Sequence, residues 1–146
     1  MTNTRTKKKI RVFLTVLYIV YTLFIFSNSL QNAAESSGRS IAVLDIIDKI
    51  IGSGVITEHM VRKAAHFGEF ALLGVIGIGT WRMYGFGMIY AAFTGLLTAV
   101  TDETLQLFSA GRSSQLSDVW IDFSGCMIGI LLMSILIKAV KKNHDI

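Results

Sequence analysis

VRKAAHFGEFALLGVIGIGTW, running from Val61 to Trp81, decides how the chain is read. It is long enough to cross a hydrocarbon core as a helix, which takes about 20 residues. Its first turns nevertheless carry Arg62, Lys63, His66 and Glu69, and no charge follows until Arg82. At helical spacing Arg62, His66, Glu69 and Leu73 form one stripe. Charges inside a spanning helix are costly and persist mainly where an interior, a cavity or a mechanism uses them.

The same pattern recurs on either side. Phe86–Phe108 reads as a further span that ends in Asp102, Glu103 and Gln106. Val119–Val140 reads as another, opening on Asp118 and Asp122 after Gly111-Arg112. Ile10–Leu30 is apolar until Ser27, Asn28 and Gln31. Four spans follow, so the expected fold class is all-α: a polytopic membrane four-helix bundle.

Composition agrees. The 146 residues are 52% hydrophobic, contain no proline and have a mean hydropathy of +0.56. That is one domain by length and far more apolar than a soluble one. The single cysteine, Cys126, lies in an apolar run and reads as a small buried hydrophobe. Ile10–Leu30 lacks the small-residue site of a cleaved signal, so the expectation is a retained span.

Lysine and arginine placement orients the spans. Arg5, Lys7, Lys8, Lys9, Arg11, Arg82, Lys138, Lys141 and Lys142 fall on one side; Arg39, Lys49, Arg62, Lys63 and Arg112 fall on the other. The positive-inside rule then places both termini in the cytoplasm. The expected organisation is a basic cytoplasmic tail over 1–9, a membrane domain over 10–142 and a cytoplasmic tail over 143–146. All four helices are then expected to deliver their polar groups to the extracytoplasmic face.

Between the first two spans lies a loop of some thirty residues, polar and turn-rich from Gln31 to Ser40. Ser40–Ile51 then sets Val43, Leu44, Ile46, Ile47, Ile50 and Ile51 on one arc against Asp45, Asp48 and Lys49. This predicts an amphipathic helix in the interface, or equally one that only packs over the bundle. Asp102 and Glu103 share a face with Gln106, Ala99 and Gly95; Asp118 and Asp122 share one with Gly125 and Gly129. Small residues let membrane helices approach closely, so the third and fourth spans are expected to meet through Gly95 and Gly125/Gly129. Any one of the charges reads equally well as an interfacial group reaching to water. Three stripes at one depth read as a site.

Three blocks carry a family resemblance. They are Phe26-Ser-Asn-Ser-Leu-Gln31 with Glu35-Ser-Ser37; Arg62-Lys63-x-x-His66-Phe67 with Glu69; and Asp102-Glu103-x-x-Gln106-x-Phe108-x-x-Gly111-Arg112 continuing to Asp118-Val119-x-x-Asp122-x-x-Gly125. In these the chain resembles the VanZ-like family of small bacterial membrane proteins. Asp122 and Phe70 stand where the family pattern admits Asn and Tyr, so the resemblance does not require a second carboxylate on the last helix. It implies a four-helix membrane domain and an association with resistance to teicoplanin-type glycopeptides, whose target is the cell wall. No reaction follows from it.

The residues themselves suggest chemistry. Arginine suits bidentate phosphate recognition, and His66 has the side chain whose unperturbed pKa permits acid and base roles near neutrality. A carboxylate can orient such a histidine. The candidate catalytic residues are therefore His66, Glu69, Asp102, Glu103 and Asp118. The candidate binding residues are Arg62, Lys63, Gln106, Arg112, Asp122, Ser27 and Gln31. A site half in lipid and half in water suits an anionic lipid head group, making a phosphoryl transferase or phosphodiesterase of phospholipid or lipid-linked precursors the first reading. A non-catalytic protein that binds or masks a surface lipid is the second, and a small transporter the third. No cofactor is implied. Asp118 and Asp122 at i, i+4 are a weak signal for a hard cation such as Mg²⁺, and such pairs more often meet Arg112 or Lys63. The expected partner is a membrane lipid or lipid-linked envelope precursor. A nucleic-acid role is unsupported, because topology already explains the basic amino terminus.

Overall fold

The computed structural model describes residues 4–144, so the extreme ends of both expected tails lie outside the described residues. It consists of five helices: α1 (Thr4–Ser29), α2 (Ala33–Ile51), α3 (Glu58–Met83), α4 (Met88–Gln106) and α5 (Leu116–His144). No strand occurs among the described residues. Three of the helices, α1, α3 and α5, are long and apolar enough to cross a membrane. With α4, the third expected span, the physical limit is plain: it has 19 residues, and its last turns are given over to Asp102, Glu103 and Gln106.

α3 is the organising element and contacts every other helix. Its tightest partner is α5, and glycines explain why. A Cβ at Gly125 would collide with the Phe67 carbonyl, one at Gly129 with the Ala71 carbonyl, and one at Gly74 with the Cys126 carbonyl. Backbone lies on backbone along this seam, the close approach that small residues permit in lipid. The expected partner of Gly125 and Gly129 was the third span; the structure gives them to α3 instead. Spacing locates a small-residue stripe on a helix but does not say which neighbour lies against it. Gly95 of α4 does meet α5, where a Cβ would strike the Cys126 sulfur.

The buried core is thin and apolar: Ile25, Phe70, Leu73, Ile78, Ala91, Ala99, Val119, Cys126 and Ile130. α1 contributes little to it, burying only Ile25 and Ser29 while Val12, Phe13, Val16, Val20, Leu23 and Phe24 stay exposed. Such a surface is intolerable in water and natural against lipid.

α2 starts earlier than the polar, turn-rich reading of Gln31–Ser40 expects. Asn32 caps it, its side chain accepting from the Glu35 amide at 2.9 Å. Capping satisfies one of the otherwise unpaired first-turn donors. The Ala33 amide is met from outside the helix, donating to the Ala110 carbonyl at 3.1 Å. Polar residues that suggest a loop thus serve as a helix start. At the far end Gly52, at φ 93°, stops the helix.

Candidate functional site

The start of α3, the end of α4, the α4–α5 loop and the start of α5 meet at one end of the assembly. They enclose a cavity of about 120 Å³ lined by Arg62, Lys63, His66, Glu103, Gln106, Arg112, Asp118 and Asp122, with His59, Ser113 and Gln115 also on its wall. Eight residues named from sequence therefore line one space. Water needs only about 10–15 Å³ of such volume, whereas a drug-sized ligand needs several hundred. The cavity fits a phosphate-sized group with water and does not enclose a large antibiotic.

Each wall has its own support. On α3, Lys63 Nζ pairs with Asp118 Oδ1 at 3.1 Å across to α5, so this lysine and carboxylate occupy each other. Arg62 reaches Glu58 at 3.9 Å and His59 Nδ1 at 3.4 Å, both loose contacts that leave its guanidinium uncommitted to a bidentate partner. His66, deeper on the same stripe, holds Nδ1 3.8 Å from Asp122 Oδ1, beyond hydrogen-bond reach. On α4, Glu103 Oε2 accepts from the Gln115 amide at 2.9 Å and fixes the loop before α5.

Asp102 sits just behind the wall and is fully buried. Its Oδ1 accepts from Ser29 Oγ at 2.5 Å and its Oδ2 from Gln106 Nε2 at 3.2 Å. Asp122, 1% exposed, differs: neither of its oxygens accepts a hydrogen bond. Buried carboxylates are normally satisfied, so this pair of acceptors requires explanation.

Arg112 is held from below. Its Nη1 donates to the Ser29 carbonyl at 3.2 Å and the Asn28 carbonyl at 3.4 Å, at the carboxyl end of α1, where a cation meets the helix dipole. Partial burial lowers its pKa from the ordinary value, while the charges of Asp102, Glu103 and Asp118 oppose that shift. Ser109 Oγ donates to the same Ser29 carbonyl at 2.9 Å. Gly111, at φ 75°, makes the turn that brings this loop against Ala33.

Besides Asp102, three sequence-named residues do not reach the cavity wall. Glu69 faces α1, where its Oε1 accepts from Asn28 Nδ2 at 3.0 Å. Ser27 turns outward and donates to the Phe24 carbonyl at 2.7 Å. Gln31 only touches Asn28 Oδ1, at 3.4 Å. The residue of α1 that does matter is Ser29. It lies one helical turn after Ile25, and both are buried, whereas Ser27 is two residues away on the opposite face. The i, i+4 step from Ile25 was the available signal. His59, Ser113 and Gln115 carried none, because they lie at a helix start and in a loop.

A family model described as VanZ/LLP1 matches residues 12–137, which contain the whole cavity. No curated protein and no solved structure matches the chain.

Proposed function

The chain belongs to the VanZ/LLP1 family of membrane proteins, and from that premise we propose that its polar cavity binds and acts on phosphate-bearing lipid head groups at the extracytoplasmic face. In this reading α4 completes a four-helix membrane bundle with α1, α3 and α5. α2 lies in the interface with Val43, Ile46 and Ile50 toward lipid, a placement supported by their exposure. The nine-to-five split of basic residues supports cytoplasmic termini and an outer cavity. Cysteine labelling at residue 112, in a chain with Cys126 replaced, tests this: access from outside supports it, and access only after opening the cytoplasmic side overturns it.

One observation carries the functional reading. Arg62, Lys63 and Arg112 share a small cavity with His66 and with carboxylates from two further helices. Cations at the rim suit a phosphodiester or pyrophosphate; Arg62 offers a planar fork for it. Beneath, His66 is placed to pass a proton, and Glu103 and Asp118 hold the frame around it. Glu69 and Asp102 brace α3 and α4 against α1. The role in glycopeptide resistance then follows as an altered population of surface head groups rather than capture of the drug, which the cavity does not enclose.

Head-group profiling by mass spectrometry, paired with teicoplanin susceptibility, tests the reading in cells with and without the protein. A changed profile that accompanies resistance supports it. Resistance with an unchanged profile would favour a protein that binds or masks a lipid without converting it.

A further inference from the structure

Asp122 is the group that head-group binding leaves without a task. It lies on α5 at the inner wall of the cavity, 1% exposed, with both carboxylate oxygens lacking a hydrogen-bond donor. A phosphate does not supply what it lacks, since an anion repels it. His66 from α3 and Asp102 from α4 approach the same point, and one ligand-capable atom of each of the three lies within 4.8 Å of the others.

We infer that His66, Asp102 and Asp122 bind one divalent transition-metal ion, of the Zn²⁺ or Mn²⁺ type, on the inner wall of the cavity.

Four observations carry this. The first is donor type. One imidazole nitrogen with two carboxylate oxygens suits Zn²⁺ or Mn²⁺, whereas Ca²⁺ and Mg²⁺ prefer oxygen alone and Cu(I) prefers sulfur. The second is distance. Two ligands at about 2.0–2.2 Å from a shared tetrahedral ion stand about 3.3–3.6 Å apart. The 3.8 Å between His66 Nδ1 and Asp122 Oδ1 is a few tenths of an ångström wider, and the full set, within 4.8 Å, closes onto an ion by side-chain movements of up to about 1.2 Å. The third is support behind the ligands. Ser29 and Gln106 each bond one oxygen of Asp102, fixing the carboxylate while leaving further lone pairs, as outer partners of metal ligands do.

The fourth is charge. Glu69, Asp102, Glu103 and Asp118 all act electrostatically on Asp122, making five carboxylates, against Arg62, Lys63 and Arg112 on the cavity and Arg39 acting on Glu69. A dication at the three-helix junction offsets the excess where the site has least water. Asp118 is not part of the set, because Lys63 holds it at 3.1 Å. The ligands thus differ from the i, i+4 pair that spacing alone proposes. Three protein ligands, His66 and Asp122 on the cavity wall and Asp102 behind it, would leave a coordination position toward the cavity for water or a head-group oxygen.

The inference does not rest on the head-group reading: with the ion bound, His66 serves it as a ligand in place of passing a proton, and the test needs no lipid. Untagged full-length protein in detergent is stripped with chelator and then dialysed against Zn²⁺ or Mn²⁺, and bound metal is counted. One ion per chain is expected, with affinity at least tenfold weaker in Asp122→Asn and in His66→Gln. Thermal unfolding supplies the second measurement. Metal should raise the transition of the wild type and leave that of Asp122→Asn unmoved, since only a ligand bound to the native state stabilises it. Stripped Asp122→Asn should unfold no lower than stripped wild type, because the change removes a carboxylate with no partner. Failure of the wild type to take up either ion in one-to-one ratio overturns the site. So does uptake that Asp122→Asn leaves unchanged, or an Asp122→Asn chain that is markedly destabilised without metal.

Discussion

Both ends of the helix assembly are charged, and they treat charge in opposite ways. At one end Lys7, Lys8 and Arg11 lie exposed on the first turns of α1, and Lys138, Lys141 and Lys142 on the last turns of α5. Between them Trp81 packs against Tyr18, Tyr84, Phe86 and Tyr90, and Arg11 stands 5.1 Å from the centre of the Tyr84 ring. Aromatic rings and snorkelling cations are what a membrane–water boundary selects. At the other end Asp102, Glu103 and Asp122 are buried, where charge is costly and is kept mainly for an interior network, a cavity or a mechanism. Exposed charge sets topology. Buried charge, drawn from several helices into one cavity, reports a use.

The largest effect expected is on the seam beneath the buried end. Gly125→Leu places a side chain on the Phe67 backbone, which cannot retreat without moving α3. Overpacking typically costs about 1–3 kcal/mol and more when backbone is the obstacle, so little folded protein should survive in detergent. Leu131→Ala, at an exposed site, should be tolerated. Equal tolerance of the two would separate the cavity from the seam.

Ser29→Ala comes next. It takes one donor from the buried Asp102 carboxylate, and hydrogen bonds to charged groups are worth about 1.5–3 kcal/mol. Chemical denaturation should show a loss of that order. A loss near zero would mean that Asp102 finds another donor and that α1 is only a lipid-facing wall.

Arg62→Lys should be smaller and specific. Stability should hardly change, because the Arg62–Glu58 contact is half-exposed and 3.9 Å long, and such pairs contribute about 0–1 kcal/mol. Binding of a phosphate-bearing head group, measured in nanodiscs, should weaken about tenfold, the equivalent of one charge-assisted hydrogen bond. Undiminished binding would remove the clamp assigned to Arg62.

The basic end supplies the smallest effect. Lys138→Gln and Lys141→Gln, taken together, should leave unfolding within about 0.5 kcal/mol and head-group binding unchanged. A loss of binding there would erase the contrast between the two ends.

Much of this contrast was legible in the sequence, for a physical reason. Lipid removes the option of solvating stray charge, so a carboxylate in an apolar run stands out as it never does in a soluble helix. The stripes Arg62–His66 and Asp118–Asp122, and the Asp102–Gln106 step, came directly from 3.6-residue spacing, and all but Asp102 line the cavity. What spacing could not give was rotation about neighbouring helices. Glu69 shares the stripe with His66 yet faces Asn28 of α1, and Gly125 faces α3 instead of α4. Nor could it find Gln115, whose role depends on a contact 12 residues away, and for Ser29 it offered only the i, i+4 step from Ile25 and not the bond to Asp102, 73 residues away.

On the proposal that the buried end works on a head group and does not merely hold helices in register, His66→Gln is the most direct test. The variant should insert and fold as the wild type does, because His66 makes no hydrogen bond within reach and only a 3.8 Å approach to Asp122. Cells with matched membrane amounts of the two proteins should then differ in head-group turnover by about 10²–10⁴-fold, the usual contribution of a positioned proton-transfer group. Turnover and glycopeptide resistance equal to wild type, from fully expressed His66→Gln protein, would contradict the claim and leave the cavity a structural network.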